Sequence, residues 1–138
     1  MTRWVRLIGL ALLAALLLGA AQPAPQAERI RQLLPGLWRA DTVQGELMVK
    51  ATSAYGRDGF VVYAGHITGP GVDFAYRVRS RWTVAGDVLS TQIVESNQPQ
   101  VLAPGSRKQD RVLAIDGRRF RYRDADGAEF EETRIAAE

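Results

Sequence analysis

The stretch FAYRVRSRWTVAGDVLSTQIVES, residues 74–96, decides the fold. Phe74, Tyr76, Val78, Trp82 and Val84 fall on alternate positions, with Arg77, Arg79, Arg81 and Thr83 between them. A period of two describes a strand with one buried face and one solvated face. Gly86-Asp87 breaks the pattern and residues 88–94 resume it. Glycine takes the positive φ that a primed two-residue turn needs, so this pair reads as a tight hairpin.

Downstream, residues 97–106 (NQPQVLAPGS) hold two prolines and no periodicity. They are the longest loop expected inside the domain, and such loops often carry binding. Residues 107–115 read as a strand, Asp116-Gly117 as a turn and residues 119–123 as a strand. Ala125-Asp126-Gly127 then turns the chain into a last strand, residues 128–135. A three-residue loop with Gly127 at the left-handed position sets Arg123 opposite Glu129, Tyr122 opposite Phe130 and Arg121 opposite Glu131. Opposite charges then face each other on one side and aromatics on the other. A slip of one residue would move Phe130 among the arginines. This register also sends Glu132 and Arg134 to the inner face, where a buried Arg requires a partner.

Upstream, residues 60–67 are apolar on both faces and read as a well-covered strand. Thr68-Gly69-Pro70-Gly71 is a loop. Residues 46–55 place Leu47, Val49, Ala51, Ser53 and Tyr55 on alternate positions, after a Gln44-Gly45 turn and a short strand over residues 37–43. Residues 27–34 form a short helix with Ile30, Leu33 and Leu34 on one side, ended by Pro35-Gly36. About eight strands joined by short turns predict an all-β domain. An antiparallel up-and-down barrel fits best, with a small sandwich as the alternative.

The start of the chain has the layout of a secretory signal. Arg3 and Arg6 precede an uncharged apolar run over residues 7–18, and Gly19-Ala20-Ala21 supplies small residues. The run is short against the roughly 20 residues that span a bilayer. Cleavage is expected after Ala21, with Ala20 and Ala24 as alternatives. The expected organisation is a signal peptide at 1–21, a linker and short helix at 22–35, and a barrel domain at 36–138. Alanine- and arginine-rich usage points to a bacterium and hence to the periplasm. There is no cysteine, which excludes disulfides, thiolate chemistry and lipidation at a cysteine. The net charge of +3 includes Arg3 and Arg6; without them 16 basic residues face 15 acidic ones. That balance argues against nucleic acid as a partner.

Gly36-Leu37-Trp38 at the first strand and Arg134 near the end of the last resemble the lipocalin-like (calycin) arrangement. Among these it looks more similar to the small lipocalin-like domains of exported bacterial proteins than to the larger lipocalins. The resemblance implies that Gly36, Trp38 and Arg134 close one end of the barrel, with Arg134 stacked on the Trp38 ring as a cation–π pair. It also implies a binding protein for a small apolar or amphipathic molecule. The Thr-Asp-Tyr turn motif of the larger lipocalins is absent. The competing expectation is a filled barrel that contacts an envelope protein through residues 97–106 or an arginine face.

Phe74, Tyr76, Trp82, Phe120, Tyr122 and Phe130 are the inward aromatics and the candidate ligand-binding set. Small barrels more often fill their interior with such residues. Arg77, Arg79 and Arg81 form one row and Arg119, Arg121 and Arg123 another; both are expected on the solvated exterior, paired with Glu129, Glu131, Asp110 and Glu95. His66, the single histidine, reads as inward near a strand end and lacks the neighbours a metal site needs. Ser80, Ser90 and Asp58 make no nucleophilic set, and no catalytic or phosphate-loop motif is present. The expectation is a non-enzyme without cofactor or metal.

Overall fold

A computed structural model describes residues 26–138. The expected signal segment and residues 22–25 lie outside the described residues. A short helix, α1 (Ala27–Leu33), precedes eight strands: β1 (Gly36–Gln44), β2 (Leu47–Tyr55), β3 (Phe60–Gly69), β4 (Val72–Ala85), β5 (Val88–Ser96), β6 (Arg107–Ile115), β7 (Arg119–Arg123) and β8 (Glu129–Ala137). Each strand pairs antiparallel with the next, and β8 pairs with β1, so the sheet is a closed barrel. The barrel expectation holds over the sandwich. No helix among the described residues is long and apolar enough to cross a membrane.

The turns follow from local chemistry. Gly86 takes φ +59° and Gly45 φ +61°, each as the first residue of a two-residue hairpin loop. The expected loop over residues 68–71 is tighter than its sequence suggested. β3 runs to Gly69 and β4 starts at Val72, leaving Pro70-Gly71 alone between them. Pro70 pre-sets its own φ and Gly71 supplies φ +70°, the combination a type II turn requires. In the last hairpin Arg121↔Glu131, Tyr122↔Phe130 and Arg123↔Glu129 are register partners, as the charge pattern demanded. Register shifts between Arg79 and Ser80, between Val112 and Ala114, and at Leu37/Trp38 interrupt the ladders. Such bulges sharpen the local twist and so help the sheet to close.

Inward side chains change in size along the barrel, and this positions the site. At one end they are large: Trp38, Tyr55, Trp82 and Phe120 pack with Val61, Val84, Leu89, Val112 and Ile115. Helix α1 lies across this end and adds Ile30, and Leu34 follows at its C-cap; both are fully buried. Arg31 of α1 donates to the Val84 carbonyl at 2.8 Å, tying the helix to β4. Towards the other end the inward positions of β1–β4 carry Ala40, Ala51, Ser53, Gly65 and Ser80. An eight-stranded barrel has room for its own side chains or for one small ligand. Small residues in the second half leave the room.

Candidate functional site

The closed end rests on Trp38. Its ring is fully buried, and its Nε1 donates to the Leu34 carbonyl at 2.8 Å. Phe120 meets it edge-on with centroids 5.7 Å apart. On β8, Arg134 is its register partner, with Cζ 4.4 Å from the ring centroid. The guanidinium also donates to the carbonyls of Pro35, at 2.8 Å, and of Leu33. Gly36 allows this closeness. A Cβ there would lie 2.3 Å from Arg134 Nη1 and 2.8 Å from the Ala136 carbonyl.

Above this floor lies a lumen of about 490 Å³, open at the far end of the barrel. Ile67, Phe74, Tyr76, Val78, Ile93 and Leu102 supply most of its apolar wall. Leu102 comes from the loop over residues 97–106, which folds back over the mouth. Gly105 N donates to the Ile93 carbonyl at 2.7 Å, and Gln98 Nε2 to the Ala75 carbonyl at 2.9 Å. The aperiodic loop thus acts as part of the wall. Gly65 makes a further accommodation: it faces Tyr76 across β3–β4, and a Cβ at Gly65 would fall 2.4 Å from the Tyr76 ring.

Between lumen and core lies a polar layer. The Tyr55 and Tyr63 hydroxyls are 2.9 Å apart, and the Ser53 hydroxyl donates to Glu132 Oε1 at 2.7 Å. Lys108 Nζ lies 3.2 Å from Asp110 Oδ2 and 5.2 Å from the Tyr63 ring centroid. Glu132 and Asp110 are both buried. Burial raises the Glu132 pKa above the usual carboxylate range, although the Ser53 hydroxyl, Lys108 and Tyr122 favour its charged form. Burial likewise raises Asp110 against the pull of Lys108. For Lys108, burial works against the charge, but Tyr63, Asp110 and Glu132 outweigh it and its pKa lies above the ordinary value.

Of the six aromatics named in the sequence as candidates, Phe74, Tyr76 and Tyr122 line the lumen. Trp82 and Phe120 belong instead to the closed-end core; Trp82 Nε1 donates to the Gly56 carbonyl at 3.0 Å and Phe120 is fully buried. Phe130 stacks on Tyr122 at 5.5 Å and is not part of the lumen wall. The period of two gave all six the same inward face but carried no information on depth along the barrel.

Two polar placements change as well. His66 points outward, where it is exposed and pairs with Asp73. β3 is apolar on both faces, so its parity was unreadable until the Gly65↔Tyr76 register fixed it. Asp110 points inward, not to the exterior, because β6 alternates Lys108, Asp110 and Val112 on the inner side. The arginine rows are exterior, with Arg123 on its expected partner and the others on different ones. Arg123 pairs with Glu129 at 2.6 Å, and Glu131 takes Arg119 at 3.6 Å instead of its register partner Arg121. Arg79 and Arg81 lie over the Phe60 ring, at 3.7 and 5.1 Å from its centroid. Among the described residues no carboxylate forms an ion pair with the row Arg77, Arg79 and Arg81.

No protein-family model matches this chain, and no curated protein matches it either.

Proposed function

We propose that this chain is an exported, lipocalin-like binding protein that holds one small apolar or amphipathic molecule inside its barrel. The observation that carries the reading is the lumen of about 490 Å³, open at one end and mostly apolar in its wall. Its volume lies within the range of about 300–1,000 Å³ found for small-molecule pockets. The stack of Arg134 on Trp38, with Gly36 beside it, supports the lipocalin-like part of the reading. The charge and hydropathy layout of residues 1–21 supports export to the periplasm.

A second reading, an envelope interaction module, draws on Val43, Met48, Val72 and Val101. All four are exposed, and all belong to segments at the open end. That reading needs a filled barrel, and the small inward residues of the open half weigh against it.

The test is a native mass spectrum of the protein purified from its own periplasm, joined to titration with an apolar fluorescent probe. A retained small molecule, or saturable probe binding, supports the binding reading. A folded protein that binds no probe favours the interaction module. N-terminal sequencing of the same preparation should find the mature chain beginning near Gln22; a chain starting at Met1 would argue against export.

A further inference from the structure

We propose that the ligand is an amphipathic monoanion of the alkyl carboxylate class, held with its acid group inward on the Lys108 ammonium. This rests on the binding reading above and adds the chemistry of the bound molecule.

The argument turns on which charges of the polar layer a ligand can touch. Besides the tyrosine hydroxyls, one ammonium and two carboxyl groups meet there: Lys108, Asp110 and Glu132. The Asp110 side chain is 4% accessible, and Glu132 is buried with its Oε1 engaged by Ser53. The Lys108 side chain is 51% accessible although it points into the barrel, because the space beside it is the lumen. A molecule entering the lumen therefore meets an accessible cation, while Asp110 lies behind the wall and Glu132, which reaches the lining, is only 3% exposed with one oxygen held by Ser53. An ammonium carries three N–H donors and no acceptor. Asp110 takes one of them, which leaves donors for a ligand oxygen.

The layer also limits the charge of the ligand. One accessible ammonium, with the covered carboxyl groups of Asp110 and Glu132 close to it, attracts a single negative charge and disfavours a second. A carboxylate meets that requirement and a dianionic phosphate ester does not. The hydroxyls of Ser80 and Thr91, on the lumen wall, can donate to the second carboxylate oxygen. The tail then runs towards the mouth along Ile67, Val78, Ile93 and Leu102. A buried charge-assisted contact is stronger than the same contact in water, since little solvent competes for it. Arg107 is the other cation on the lumen lining. It stands beside the open mouth, where solvent and salt screen it.

Displacement of a bound apolar fluorescent probe by decanoate, decanol and decylamine at pH 8 tests this. At that pH the carboxylate and the amine are both charged. Wild-type protein should prefer decanoate over decanol by about tenfold or more, as a hydrogen bond to a charged group implies. Lys108→Met should erase that preference and leave decanol within about twofold of wild type. Because Lys108→Met strands the Asp110 charge, Lys108→Met/Asp110→Asn repeats the test on a neutral floor. Arg107→Gln should keep the preference. Equal binding of decanoate and decanol by wild type, a preference for decylamine, or loss of the preference in Arg107→Gln would overturn this inference while the binding reading stands. Failure of every probe to bind would overturn both.

Discussion

Arg134 faces Trp38 directly across the seam where β8 meets β1, its guanidinium carbon 4.4 Å from the centroid of the indole. The same guanidinium donates to the Pro35 and Leu33 carbonyls, so one side chain joins the last strand, the first strand and the end of α1. The chain segments it links are about 100 residues apart in sequence (|i−j| = 99 and 101). Their contact forms only once the barrel has closed.

Loss of either partner should therefore loosen the closed end. Trp38→Ala removes a fully buried ring and should destabilise by roughly 3–5 kcal/mol. Arg134→Ala removes charge-assisted hydrogen bonds and should destabilise by about 2–3 kcal/mol. The double variant should lose less than the sum, since each change removes the same contact. Urea unfolding of the four proteins checks this; full additivity would show that the pair is not coupled.

Gly36 sits in a backbone conformation, φ +136°, that other residues rarely adopt. Gly36→Ala should cost about 1–3 kcal/mol from the backbone alone. The clash of its Cβ with Arg134 Nη1 and the Ala136 carbonyl adds to this. Introducing Arg134→Ala into Gly36→Ala should recover little stability, because the Ala136 carbonyl cannot move away as a side chain can. Thermal unfolding of the two variants measures the difference.

Strand order and the last hairpin were legible in the sequence because each rests on local or alternating signals; the closed end was expected only through the resemblance carried by Gly36, Trp38 and Arg134, with alternation giving no more than the inward parity of Arg134. Gly86, Gly127 and the arginine–glutamate alternation of β7 and β8 each fix their own neighbourhood. The lumen was not legible. It depends on which inward residues share a height in the barrel, and that follows only from the register of every strand pair. Ser53, Gly65 and Ser80 look unremarkable in their own strands; together they leave a space. Lys108 escaped notice for the same reason. It stands among Arg107, Gln109 and Arg111 in a stretch that reads as solvated, and only pairing with β5 and β7 turns Lys108 and Asp110 inward together.

The buried Glu132 makes stability depend on pH in the direction opposite to a surface ion pair. Burial raises its folded pKa above the roughly 4.3 of an unfolded chain. The folded state then binds the proton more tightly. Its contribution is fully present below about pH 4.3 and is lost as pH rises through the raised folded value. Asp110 acts in the same sense. Asp116 and Glu129 act in the opposite sense, since hydrogen bonds lower their pKa values and their stabilisation fades in acid. Glu132→Gln keeps an acceptor for the Ser53 hydroxyl and removes the titration. Its melting temperature should exceed that of wild type at pH 8, with a margin that shrinks towards pH 4. A variant less stable than wild type at pH 8 would mean that attraction to Lys108 outweighs burial.

Gly65 gives the sharpest test of whether the lumen is used. Its φ is ordinary, so an alanine there meets no backbone strain, and the obstacle is the Tyr76 ring 2.4 Å from the new Cβ. Overfilling a close-packed core typically costs about 1–3 kcal/mol. Here the ring borders open space and can swing into it. Replacing a strand glycine also recovers about 0.5–1 kcal/mol of backbone entropy. Gly65→Ala should thus fold with nearly wild-type stability while its lumen narrows around the displaced ring. Probe affinity should fall by about tenfold, the effect of losing roughly 1.4 kcal/mol of contact. Adding Tyr76→Ala removes the obstruction and should restore much of the binding. Unchanged affinity in Gly65→Ala would mean that the probe binds elsewhere, and the reading of the barrel as a container would fail with it.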